Sequence, residues 1–323
     1  MRSNDAPISA DGSVFFMATD LSLPPFHLTP GADRWNLPSM KKTTVLTTAA
    51  LMYGCTSTIL AAEFQIPLFI SASNEMQQGF IRIINHSEDA GVVSVLAIDD
   101  AGAEKGPKEI SLDARQTLHF NSDDLELGNP VDRPDKVPGL EEGIGGGMGD
   151  WRLVLDTELD IEPLVYVRTD DGFLTSMHDL VPVAAMKHEV AIFNPGRNPN
   201  QISRLRLINP GDAAAEVEIT GVNDKGGEPE NAPVTITIPA AEAREITAKE
   251  LEDGRSDFTG SFGFLEAEFG RWRLFVSADA EIQVMSLLES PTGHLTNLST
   301  RTYESLAPSE QAAFDRFVSA SRE

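Results

Sequence analysis

The sequence predicts an all-β protein: two tandem antiparallel immunoglobulin-like β-sandwich domains with a short C-terminal helix. Three observations carry that expectation. A unit of about 115 residues is written twice, apolar and polar residues alternate over short runs bounded by turn signals, and no long run has the 3.6-residue period of a helix. The repeat is plainest in "GDWRLVL" at 149–155 and "GRWRLFV" at 270–276. Length agrees, since 323 residues hold two ordinary domains, and 25 glycines with 20 prolines supply many turns.

Residues 1–39 have no sustained period and carry "LPPF" and "TPG", which reads as a disordered extension upstream of a true start at Met40. Residues 40–62 have the layout of a secretory signal peptide. Lys41 and Lys42 form a positive start, Val45 to Leu60 is uncharged and mostly apolar, and Leu60-Ala61-Ala62 gives small residues before a cleavage after Ala62. An uncleaved anchor over 43–62 is the competing reading, against which the threonines between Thr43 and Thr58 count. Gly54-Cys55 offers a lipid-attachment site, but Met52 and Tyr53 are poor residues before it. Cys55 is the single cysteine, so no intramolecular disulfide can form and stability must come from packed cores. The expected location is outside the cytoplasm: periplasmic, cell-surface or extracellular.

Copy one is expected over 63–182. "GFIRIIN" places Arg82 opposite its apolar face, "VVSVLAI" reads as a central strand, and "WRLVLD" sets Trp151, Leu153 and Leu155 on one face with Arg152 on the other. "DIEPLVYVRT" and "GFLTSM" complete it, and "NHSEDAG" and "DDAGAEKG" mark turns. Copy two is expected over 186–300. It repeats Phe69 as Phe193, Asn74 as Asn198, Gln77 as Gln201, Arg82 as Arg206, Asn85 as Asn209, Asp100 as Asp224 and Trp151 as Trp272. The brief "PVAAMKHEVA" between the copies restricts pivoting and implies a rod-like pair. The tail 301–323 is expected to form a short helix with Ser309 as its N-cap and Ala312, Phe314 and Phe317 on one side.

Charge narrows the function classes. With 25 Lys+Arg against 50 Asp+Glu the net charge is −25, a field that repels phosphate backbones and anionic lipid heads. No nucleic-acid partner and no membrane span after leader removal are expected. Calcium is the one cofactor to consider. Asp99, Asp100, Asp123 and Asp124 in copy one are the weak ligand candidates, set against the same residues acting as ordinary turn formers, and no stretch has a full calcium-loop spacing. The six histidines are scattered with no metal-binding spacing, and there is no nucleophile-elbow motif, so no catalytic residues are assigned and an enzyme is not expected.

The glycines of "GLEEGIGGGMGDW" lead into a strand rather than a helix, which makes a flexible inter-strand loop and not a phosphate cradle. Trp151 and Trp272 sit on the apolar face of the same repeated strand, as core residues do; sugar-stacking platforms would be exposed. Asn74, Asn198, Gln77 and Gln201 are expected to hydrogen-bond loop backbone.

The strings "RLRLINPGD", "WRLFVSADAEIQVMSLL" and "SPTGHLTNLS", with "QGFIRIIN" and "SDDLELG" in copy one, resemble a tandem repeat of uncharacterised secreted and cell-surface proteins of Gram-negative bacteria. The likeness covers about 65–300 and implies an exported accessory or adhesive module. The expected function is therefore a non-enzymatic spacer, adhesin-like or protein-binding unit with an unidentified protein or glycan partner. The alternative is a carbohydrate-binding module or glycan-active accessory protein.

Overall fold

The computed structural model describes residues 62–177, 182–224, 232–263, 270–298 and 300–322. The N-terminal extension, the leader up to Ala61 with Cys55, His27 and His178 lie outside the described residues.

Copy one runs β1 (Ala62–Phe69), β2 (Gln77–Asn85), β3 (Gly91–Asp99), β4 (Glu104–Leu112), β5 (Thr117–Asn121), α1 (Ser122–Leu127), β6 (Trp151–Thr157), β7 (Ile161–Thr169) and β8 (Leu174–Ser176). It forms two antiparallel sheets, ordered β1-β6-β3-β4 and β5-β2-β7-β8. Alternation decides what faces inward. Val93, Val95 and Ala97 of β3, Leu153 and Leu155 of β6, Ile81 and Ile83 of β2, and Val165 and Val167 of β7 all lose their solvent contact between the sheets.

Copy two repeats the plan with β9 (Ala185–Phe193), β10 (Ile202–Ile208), β11 (Ala215–Asn223), β12 (Val234–Ile238), β13 (Ala243–Thr247), α2 (Ala248–Asp253), β14 (Trp272–Glu289), β15 (Leu295–Leu298) and β16 (Thr300–Thr302). Equivalent residues hold equivalent registers. Ile66 opposes Leu153 as Val190 opposes Leu274, and Arg82 lies between His119 and Leu164 as Arg206 lies between Glu245 and Met285. The difference is β14, whose 18 residues do the work of both β6 and β7. Its first part pairs with β9 and β11, its second with β10 and β15, and the register with β9 breaks between Ser277 and Ile282. One strand thus belongs to both sheets, turning the corner between them.

The strand order departs from the immunoglobulin expectation. In that fold the last strand lies beside the sixth in one sheet; here β7 pairs with β2 in the opposite sheet, and the second half of β14 does the same with β10. What the pairing shows is an antiparallel two-sheet sandwich, present twice.

Two short helices follow β5 and β13, the first of them where Asp123 and Asp124 were expected to act as ordinary turn formers. Each closes a capping box: Asn121 with Asp124, and Thr247 with Glu250, satisfies the first orphan amides of α1 and α2. At the other end, α3 (Pro308–Ala320) begins two residues earlier than expected. Ala307 precedes Pro308 at the first helical position, and Glu310 accepts from the Ala307 amide at 2.9 Å, so Ser309 is not the cap. Phe314, Phe317 and Val318 bury the inner face of α3 on Val222 and Phe275 of copy two.

The two copies are docked against each other. Met285, Leu287 and Leu295, on the outer face of the second sheet of copy two, join the apolar cluster of copy one. The outer face of that sheet covers one end of the β1-β6-β3 sheet, so contact as well as a short linker fixes the pair.

Candidate functional site

The feature that most needs explanation is the ionic cluster where the copies meet. Arg206 projects from β10 away from its own core, and its side chain is wholly buried. Three partners take its donors: Nε gives to the Pro67 carbonyl at 3.1 Å, Nη2 to Asp100 Oδ1 at 2.6 Å, and Nη1 lies 3.5 Å from Glu245 Oε1. Pro67 and Asp100 belong to copy one, so a single guanidinium ties the two sandwiches. A buried charge is tolerated only when paired and hydrogen-bonded, which this set of contacts provides. Burial alone would lower its pKa. The fields of Asp100, Glu245 and Asp150 outweigh that, and the group is held above its ordinary value.

Asp100 is the hub on the other side. Its Oδ2 accepts from the Asp150 amide at 2.9 Å, its own amide donates to the Met148 carbonyl at 2.9 Å, and its carbonyl accepts from the Ala243 amide at 3.0 Å. Asp150 in turn accepts from the Ser71 amide at 2.8 Å. Burial pushes the Asp150 carboxyl up to about 6, against which Arg206 pulls it down. Arg152 donates to the Ala241 carbonyl across the junction; burial and the neighbouring Arg206 lower its pKa. Arg152 was expected to face solvent, and it does leave its own core, but copy two covers it.

The rim is polar and specific. Gln77 Nε2 donates to the Gly293 carbonyl at 2.7 Å, and His294 stacks on Phe173 at 4.4 Å while its Nε2 lies 3.1 Å from Asp171. Gly102, at φ +79°, sits where a side chain would come within 3.1 Å of the Ala241 carbonyl, so a glycine suits both the turn and the close approach.

The four acidic candidates fall into two separate groups. Asp99 Oδ1 accepts from the amides of Ala101 and Ala103, and its Oδ2 from Met148, so it builds the β3-β4 turn. Asp100 is committed to the junction. Asp124 serves the α1 capping box and pairs with Lys136, while Asp123 accepts from Gln78 at 2.6 Å. Among the described residues no group of three or more His, Cys, Asp or Glu is placed to hold a metal ion.

Trp151 and Trp272 are buried, and each is anchored in the same way. Trp151 Nε1 donates to Glu126 Oε1 at 2.7 Å, which also takes the Ala72 amide; Trp272 Nε1 donates to Glu252 Oε1 at 2.9 Å, which also takes the Gly196 amide. The glycine loop packs beside this tie: Ile144 and Gly145 donate to the carbonyls of Leu125 and Glu126. Asn74 and Asn198 organise their turns as expected, each side-chain oxygen accepting two following amides, while Gln77 also reaches across to copy two. His188 is buried between the carbonyls of Ala185 and Ile282, and burial lowers its pKa.

No family model matches the chain, and neither the curated proteins nor the solved structures compared with it give a match. Sequence reasoning missed the roles of Arg206, Asp150, Glu126 and Glu252. The repeated outward arginine at 82 and 206 was the available signal for the first, and the repeated glutamate before each glycine-rich turn for the last two.

Proposed function

We propose that this chain is a non-enzymatic exported protein whose paired sandwiches, immunoglobulin-like in architecture though not in strand order, serve as a rigid spacer, adhesin-like or protein-binding unit. The observation that supports this best is the junction. A buried Arg206 with partners from both copies, set among Met285, Leu287 and Leu295, makes the two sandwiches one stiff body. Export rests on the 40–62 leader, and the resemblance to the tandem repeat of secreted and cell-surface proteins points the same way. The glycan-binding alternative loses its two platforms, because both tryptophans are core residues tied to glutamates. Fractionation of the producing cell, with mass spectrometry of the native N-terminus and proximity cross-linking, tests the reading. The expected result is a chain starting at Glu63 in an extracytoplasmic fraction and cross-linked to protein. A cytoplasmic chain that retains Met40, or cross-links to glycan alone, overturns it.

A further inference from the structure

The two copies share a core plan, but one cleft of copy one is built from residues that copy two does not keep. It opens between the turn that precedes β2, the start of α1 and the end of β7, with a volume of about 320 Å³. Asn74, Gln78, Ser122, Asp123, Arg168 and Asp170 supply its polar groups. Gln78 and Arg168 stand opposite each other across β2 and β7, and Gln78 Nε2 donates to Asp123 Oδ2 at 2.6 Å. Among the described residues, the Arg168 guanidinium, the Asp170 carboxylate and Asp123 Oδ1 have no hydrogen-bond or ion-pair partner.

The clearest sign of a ligand is Ser122. It lines the cleft and is wholly buried, yet its Oγ has no hydrogen-bond partner among the described residues. A buried hydroxyl left without a partner destabilises a fold. The fold has no need of one here, because copy two places Ala248 at the same position of its own short helix. Most of the set changes with it. Gln78, Asp123 and Arg168 give way to Ile202, Lys249 and Glu289, although Ile202 and Glu289 keep the same opposed register. The polar set is therefore particular to copy one and not part of the repeated scaffold.

The chemistry of the cleft selects its ligand. A lone anion would meet Arg168 but also two carboxylates, and a lone cation would meet those carboxylates but also Arg168. A neutral sugar would find hydrogen-bonding groups without a ring to stack on, since Ala72 is the only apolar residue among those described in the lining. A small zwitterion matches all of these groups. We propose that the cleft binds a free α-amino acid with a small or polar side chain. Arg168 takes the carboxylate, which its planar fork suits, Asp123 and Asp170 take the ammonium, and Ser122 Oγ fixes the orientation. Such a site goes beyond the proposed function and does not rest on it.

Calorimetric titration of the full chain with glycine, L-serine and L-glutamine tests it, up to about 20 mM because so few ligand atoms limit the affinity. The native chain is expected to bind at least one of them saturably. Acetate and methylammonium, each with one half of the charge pair, are expected to bind about tenfold or more weakly. Arg168→Gln, at an exposed position, is expected to weaken amino-acid binding about tenfold or more, as loss of one partner of a charge pair does. Ser122→Ala installs the residue that copy two uses, and loss of its hydrogen bond is expected to weaken binding about threefold to tenfold. Unchanged circular dichroism of each variant separates lost binding from lost folding. No saturable binding of any of the three amino acids, acetate or methylammonium bound as tightly as they are, or undiminished binding by either variant would overturn the proposal.

Discussion

Replacing Arg206 with methionine keeps most of the side-chain volume and removes the charge that holds the junction. Asp100, Glu245 and Asp150 then share a partly closed space without their cation. Breaking a buried ion pair from one side costs about 3–5 kcal/mol. Asp100 and Glu245 are 19% and 26% exposed, so water softens the loss and about 3 kcal/mol is the expected figure. The cost is also pH-dependent. In the native protein the Asp150 carboxyl titrates near 6 rather than at its ordinary 3.8, so the folded state holds that proton more tightly than the unfolded chain. The stability this contributes is complete below the unfolded value and is lost as pH rises to about 6, on the order of 3 kcal/mol. Arg206 opposes that shift, so its removal raises the carboxyl further and extends the loss above pH 6. The difference between variant and native protein should therefore be larger at pH 7.5 than at pH 5. Urea unfolding followed by tryptophan fluorescence at both pH values measures it. Asp150→Asn in the variant background should recover part of the loss at pH 7.5. A difference below about 1 kcal/mol, or one equal at the two pH values, would refute the assignment of Arg206 as a paired buried charge.

Trp151→Phe keeps a ring in the core but leaves Glu126 without its indole donor, and chemical denaturation should show a loss of about 1.5–3 kcal/mol. Trp272→Phe should cost a similar amount through Glu252; a neutral result at both sites would mean that the two glutamates do not anchor the rings. Gly143→Ala would put a methyl 2.2 Å from the Glu126 carbonyl oxygen, so the loop must shift off α1, and a loss of about 1–3 kcal/mol is expected by calorimetry. Melting in chelator and in millimolar calcium should coincide, because Asp99, Asp100 and Asp124 already hold amides or cations. A clear upward shift with calcium would identify a site of useful affinity.

The duplicated cores were legible because alternation and repetition are local patterns. Trp151, Leu153 and Leu155 announce an inward face whatever lies beyond the sandwich, and Asn74 and Asn198 announce their turns. The capping boxes of α1 and α2 were also readable, in Asn121 with Asp124 and Thr247 with Glu250, although no helix was expected at either and, of the two stretches, only Asp123 and Asp124 were expected to act as turn formers. The junction was not legible. Alternation says that Arg82, Arg152 and Arg206 point outward, yet it cannot say which outward face a second domain will cover. Two of the three are buried and one is exposed for that reason alone. The strand order was hidden for a similar cause: β7 pairs with β2 rather than β6, and pairing across sheets leaves no mark on the period of either strand.

The single strand β14 also sets how the two copies tolerate changes in length. In copy one, Glu158 to Asp160 separate β6 from β7, and a residue inserted there would lengthen a turn while both ladders kept their registers. In copy two the corresponding stretch is Asp279 to Glu281, in the middle of continuous extended chain. That stretch is the corner: pairing with β11 ends at Ala278, pairing with β10 begins at Gln283, and the register with β9 is broken between Ser277 and Ile282. A residue inserted there changes the angle at which one sheet hands over to the other, whereas at 158–160 it only lengthens a turn, although the two stretches descend from the same position of the repeat.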